Sequence, residues 1–195
     1  MATGSRRKTT STSRRRPLTS TVEREGFIIP LWDPLWSNQA RDPDFGLYIP
    51  AFEPDVRHRF RIDPTSIFAT IYEQRFGRPS PLWAGEPMEI FSAGFHIHYL
   101  GSGASARIAR QGNDDTCLVE IPRWDFHWQS NYFFEEPKVL EPGDELFIEC
   151  RYDNTAGHQP RVDGRPQEPR DTFWGESSLD EMCIGIFLVA PPAGP

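Results

Sequence analysis

Phe91-Ser92-Ala93-Gly94-Phe95-His96-Ile97-His98-Tyr99-Leu100-Gly101 is the stretch whose reading decides the fold and the chemistry of this chain. Residues two apart on a β-strand project from the same face. His96 and His98 therefore present two imidazoles side by side, while Phe95, Ile97 and Tyr99 point the other way. Two parallel imidazoles make half a metal site. A thioether from Met182, in the downstream run Asp180-Glu181-Met182-Cys183, arriving on a second strand, completes two histidines and one methionine. That donor set is soft enough to hold copper in both its oxidation states. A bare His-x-His is also common on the wet face of a strand, so the pair alone does not decide.

Outward from this strand, short apolar-polar alternations separated by turn chemistry predict an all-β chain, an antiparallel, jelly-roll-like β-sandwich in a single domain. Arg57 to Ile62 alternates, with His58 expected on the solvated face. Ser66 to Phe76, with Ile67, Phe68 and Ile71, fits a strand or a short helix equally well. Met88-Glu89-Ile90-Phe91 leads into the histidine strand. Ala104 to Arg110 is expected as its hairpin partner after the Gly101-Ser102-Gly103 turn. Thr116 to Ile121 reads as a further strand. Trp124-Asp125-Phe126-His127-Trp128-Gln129 reads as another, with His127 and Gln129 on one face. Pro142-Gly143-Asp144 is a tight turn into Glu145 to Tyr152. Asn154 to Arg170, rich in glycine and proline and containing His158, reads as a long exposed loop bordering the site or as a mere insertion.

The 195 residues, 13% aromatic with 19 prolines and 15 glycines, suit one packed domain with many turns. Residues 1–22 carry Arg6, Arg7, Lys8, Arg14, Arg15 and Arg16 and no acid, so a whole-chain charge of −7 leaves −13 on the rest. The chain divides into a disordered basic Ser/Thr/Arg-rich tail over 1–24, an extended Pro/Trp-rich segment over 25–44, and the sandwich over 45–195. The tail reads as an arm for an anionic surface, a localisation signal, or a solvated leader. The acidic body argues against nucleic acid as the main ligand. No run approaches 18 apolar residues, so no membrane span is expected, and no signal peptide is visible. In segment 25–44, Pro30 and Pro34 forbid a regular helix or central strand, so Trp32 and Trp36 are expected on the domain surface, packed there or exposed for a neighbouring subunit.

From about Phe45 to Pro192 the chain resembles the C-terminal, methionine-ligated copper lobe of the ascorbate-dependent type II copper monooxygenases. Five pieces carry the resemblance, in the family's order: Phe45 to Pro50, His96 to Gly101, Trp124 to Gln129, Pro142 to Tyr152, and Trp174 to Cys183. The resemblance implies that His96, His98 and Met182 are catalytic ligands of one copper, which binds dioxygen and hydroxylates an unactivated C–H bond of a small-molecule substrate, with ascorbate or another external donor supplying electrons. It implies a Cys150–Cys183 disulfide beside Met182; one disulfide points weakly to an oxidising compartment, exported or periplasmic, while the missing signal peptide points the other way. Cys117 is left over as a buried thiol. His127 and Gln129 are candidates to assist the histidine ligands, His127 also as a third nitrogen donor.

The departures are as informative. The family's electron-transfer copper sits in a separate three-histidine lobe, and the 44 or so residues before the matching region hold no histidine. The chain is then one half of a split or truncated enzyme, takes its electrons from a partner, or is not an oxygenase. Gly94 stands where peptide-hydroxylating relatives have an arginine, and Ile184 and Ile186 where they have asparagine and tyrosine. At these three substrate-facing positions the clamp for a peptide carboxylate is therefore missing. Gly175-Glu176 replaces a pair of glycines before the methionine. Two alternatives remain: a copper-binding protein without turnover, and a metal-free β-sandwich interaction module.

Overall fold

Apolar residues at alternate positions set the strands, and capping side chains set the helices. The computed structural model describes residues 26–80, 85–110, 112 and 114–192. The basic tail over 1–24 lies outside the described residues. In chain order the elements are β1 (Phe27–Leu31), α1 (Pro34–Asn38), β2 (Tyr48–Ile49), β3 (Val56–Ile62), α2 (Pro64–Phe76), β4 (Met88–His96), β5 (Gly101–Ala109) and β6 (Thr116–Ile121). There follow β7 (Asn131–Leu140), β8 (Glu145–Tyr152), β9 (Arg161–Val162), β10 (Arg165–Pro166), β11 (Thr172–Phe173) and β12 (Ile184–Ala190).

Two four-stranded antiparallel sheets form an all-β sandwich, one in the order β1-β12-β4-β7 and the other β3-β8-β5-β6. Between them lie Ile90, Ala93, Phe95, Phe187 and Val189 of the first sheet and Ala104, Ala106, Ile108, Leu146 and Ile148 of the second, all buried. Burying a Leu-, Ile- or Phe-sized side chain is worth roughly 1.5–3 kcal/mol, so this layer is the main source of stability.

β5 is not the hairpin partner of β4. It pairs with β6 and β8 in the opposite sheet, and the chain crosses between layers over Ile97–Leu100. A hairpin and a crossing share the same glycine-rich signal, so periodicity could not separate them. His96 is the last residue of β4, and His98 lies in the extended exit that starts the crossing.

The ambiguous Ser66–Phe76 run belongs to α2. Asp63 caps its N-terminus by accepting from Thr65 N at 2.9 Å, Pro64 opens the first turn, and Gly77 closes it with φ 63°. In segment 25–44, Pro30 lies in β1, an edge strand and not a central one, in keeping with the expected extended path, whereas Pro34 opens the short helix α1 rather than forbidding it. Trp36 is buried, edge-on to Phe60 at 5.2 Å, and Trp32 stacks on Trp174 at 6.2 Å. Both indoles pack against the body of the domain.

Two further side chains differ from expectation. Cys117 is exposed on β6 rather than buried. His58 faces inward with Val56 and Phe60, between Trp36 and Tyr152, and donates from Nε2 to Tyr48 O at 2.8 Å. Burial pulls its pKa below the ordinary histidine value, and the bond to Tyr48 only partly restores it. The folded state thus favours the neutral ring, and the unfolded chain binds more protons as pH falls through about 6.5. The contribution is complete above that pH and is lost below it. Thermal unfolding between about pH 7 and pH 5 should therefore show a shallower decline for His58→Phe than for the parent. Equal slopes would contradict this.

Candidate metal centre

The end of β4 brings two imidazoles together. His96 and His98 stand edge to face with centroids 5.0 Å apart, and their Nε2 atoms are 3.2 Å apart. The opposite nitrogen of each ring is held. His98 Nδ1 lies 3.0 Å from Asp180 O, a carbonyl that can only accept, so Nδ1 carries the proton. His96 Nδ1 lies 2.8 Å from Gln129 Oε1. The Gln129 amide is oriented by its own donation from Nε2 to Phe126 O at 3.0 Å, which leaves Oε1 to accept from His96.

Both Nε2 atoms therefore carry lone pairs, and the two lone pairs face each other at hydrogen-bonding distance. That arrangement is repulsive unless a cation or a proton lies between. Burial holds the His98 imidazole below the ordinary histidine value, with the backbone carbonyl of Asp180 opposing, so protonation of that ring is disfavoured.

The methionine segment reaches the histidines through Glu181. This carboxylate is fully buried; Oε1 accepts from Leu100 N at 2.6 Å, and Oε2 accepts from His98 N at 2.9 Å and Met182 N at 3.3 Å. Burial pushes its carboxyl up to about 8, against the three N–H donors, which favour the carboxylate. Tyr152, buried on β8, donates its hydroxyl to Met182 O at 2.9 Å. Cys183 is joined to Cys150 of β8 by a disulfide with Cα atoms 5.9 Å apart. Met182 lies just before β12 rather than on a strand, and its backbone is tied to both sheets. Gly175 packs so close to Asp180 that a Cβ there would lie 2.8 Å from the Asp180 Cβ, so this glycine is required on the approach to the methionine. Neither Glu181 nor Tyr152 stood out in the sequence, where a lone acid before a methionine carries no burial signal.

The remaining site residues are placed as follows. Residues 124–129 form a turn rather than a strand: His127 N donates to Asp125 Oδ1 at 2.9 Å and Trp128 N to Asp125 O at 2.9 Å. Gln129 thereby reaches His96, whereas the His127 ring lies against Phe126 (5.4 Å) and Tyr99 (5.9 Å). Gly94 pairs with Ile186 on one side and Asn131 on the other, and Ile184 pairs with His96. A Cβ at Gly94 would run into Asn131 Oδ1 and lie 2.7 Å from Ser130 O. β7 thus fills the position from which a longer side chain would reach out. Among the described residues no three His, Cys, Asp or Glu side chains gather into a metal-binding group.

The copper type II ascorbate-dependent monooxygenase C-terminal domain matches residues 84–189, more than half of the sequence. The chain belongs to this family. Within it, the chain is 30% identical over 104 residues to DBH-like monooxygenase protein 1 of Gallus gallus, covering 53% of this chain and 15% of that protein. The same figures hold for DBH-like monooxygenase protein 1 of Homo sapiens. DBH-like monooxygenase protein 2 of Mus musculus is 32% identical over 98 residues, covering 49% of this chain and 14% of that one. The chain thus spans a small fraction of the length of these copper monooxygenase relatives. The family's copper dependence fits the chemistry of the donors present: the two imidazole Nε2 atoms face each other at 3.2 Å with their lone pairs free.

Proposed function

We propose that this chain is a copper-holding catalytic lobe of a monooxygenase, with His96, His98 and Met182 as the ligands of one copper. The observation that carries this reading is the pair of Nε2 atoms facing each other at 3.2 Å while both Nδ1 atoms are engaged elsewhere. When bound, copper supplies dioxygen activation and the one-electron chemistry of C–H hydroxylation, with ascorbate or another reductant as the electron source.

The chain's own residues do the rest. Gln129 and the Asp180 carbonyl fix each imidazole in the tautomer that leaves Nε2 free to ligate. Burial keeps His98 neutral. Glu181, Tyr152 and the disulfide hold the Met182 backbone in register with His98. On the outer side of the sheet, Gly94, Ile184 and Ile186 offer the substrate no charged group. A neutral or apolar small molecule suits this surface better than a peptide carboxylate. A partner lobe or protein with its own redox centre would supply the electrons.

Copper stoichiometry and the Cu(II) spin-resonance spectrum, measured for the parent, His96→Ala and Met182→Ala, test the ligand set. One copper per chain is expected, with specific binding lost in His96→Ala and weakened chiefly for Cu(I) in Met182→Ala. Saturating Cu(I) should also raise the melting temperature of the parent. Binding indifferent to both substitutions would overturn the assignment. Tight binding with no substrate-linked oxygen uptake under any reductant would mark a copper-binding protein without turnover.

A further inference from the structure

A cleft of about 510 Å³ opens beside the 124–129 turn and is floored by rings. Tyr99, Phe126, His127, Trp128, Tyr132 and His158 line it. Tyr99 and Phe126 pack at 4.0 Å, and His127 stands edge-on to both. Trp128 is 70% exposed and Tyr132 40% exposed, and among the described residues no ring stacks on Trp128. Exposing two large aromatic rings on one side of a cleft forgoes a considerable hydrophobic gain.

The backbone that carries these rings is held. Trp124 N donates to Ser102 O at 3.0 Å, the Asp125 turn fixes His127 and Trp128, and Gln129 anchors the end of the segment to His96. On the opposite wall His158 donates from Nε2 to Gly101 O at 3.1 Å. The site is therefore preorganised, which lowers the cost of binding.

The charge on the rim selects the ligand class. Arg123 and Asp125 both line the cleft, one cationic and one anionic, so no net charge favours an ion. Polar groups share the lining with the rings: Arg123, Asp125, Tyr132 and His127 bring a guanidinium, a carboxylate, a hydroxyl and an imidazole. A flat aromatic ligand is best served by an enclosed apolar pocket that removes most of its surface from water. An open cleft with exposed ring faces and a polar rim suits a molecule with both apolar C–H faces and hydroxyl edges. We propose that this cleft binds a saccharide, with a pyranose ring stacked on Trp128 and its hydroxyls hydrogen-bonded to the rim.

Calorimetric titration of the full chain with cellohexaose, chitohexaose and xylohexaose tests this, in chelator-treated and copper-loaded protein alike. The expected result is saturable binding of at least one of the three with a dissociation constant of about 1 mM or tighter, equal in both forms because Trp128 contacts neither imidazole. Trp128→Ala should weaken it by about tenfold or more, while leaving the melting temperature unchanged because the ring is exposed. No heat from any of the three, or affinity unchanged in Trp128→Ala, would overturn the proposal. Binding of 2-phenylethanol in place of the sugars would overturn the ligand class.

Discussion

Replacing Glu181 by alanine is expected to lower the stability of the metal-free protein by about 3 kcal/mol or more. Its two oxygens accept from Leu100, His98 and Met182 N–H groups in a fully buried setting. Truncation leaves those donors unpaired, at roughly 1–3 kcal/mol each, and adds a cavity. The carboxyl's own burial, which pushes it up to about 8, offsets part of this, because the substitution also removes a desolvated acid. The donors dominate, since they remain whatever happens to the acid. Glu181→Gln keeps the volume but turns an acceptor oxygen into a donor amide, and should fall between parent and alanine. Tyr152→Phe removes a single hydroxyl bond to Met182 O and should cost about 1 kcal/mol. Denaturant unfolding of the four proteins gives the order directly, and an alanine variant as stable as the parent would contradict it.

The second large effect is expected from the disulfide. Cys150 and Cys183 close a loop over a sequence separation of 33, for which loop-closure entropy gives about 3–4 kcal/mol. Both residues are fully buried, so the Cys150→Ala/Cys183→Ala double variant also loses packing. Its effect should extend to the site, because Cys183 directly follows Met182 while the histidines are positioned by β4 and Gln129. Cu(I) affinity, to which the thioether contributes most, should fall further than Cu(II) affinity. Competition titrations with a chromophoric Cu(I) chelator measure the first and spin resonance the second. Equal losses for both oxidation states would show that the bridge supports the fold alone.

Much of this was readable in the chain, for reasons particular to each part. The alternation Phe95-His96-Ile97-His98 survives in the structure even though β4 stops at His96, because the exit remains extended. The Cys150–Cys183 pairing implied by the family resemblance is present. Trp124 to Gln129 mimicked a strand because aromatics and polar residues alternate there, but the Asp125 carboxylate captures the amide two residues on and turns the chain. His58 turns inward although Arg57 and Arg59 on either side are exposed. The period of two through Val56, His58, Phe60 and Ile62 was the better guide. The partners of β4 could not be read at all, since strand order depends on contacts far apart in sequence. Glu181 was invisible for the same reason: its three amide partners lie on two segments that only the folded chain brings together.

The pairing of β1 with β12 has a kinetic consequence. Phe27 lies opposite Val189 and Leu31 opposite Gly185, so the first described strand finds its neighbour in the last. β12 is also the strand that lies beside His96. The sheet carrying the histidines therefore cannot close until β12 has been synthesised. Contacts so distant in sequence make for slow folding. Until β12 arrives, β1 and β4 present unpaired strand edges, and it is in this interval that the nascent chain is most exposed to aggregation and most dependent on chaperones.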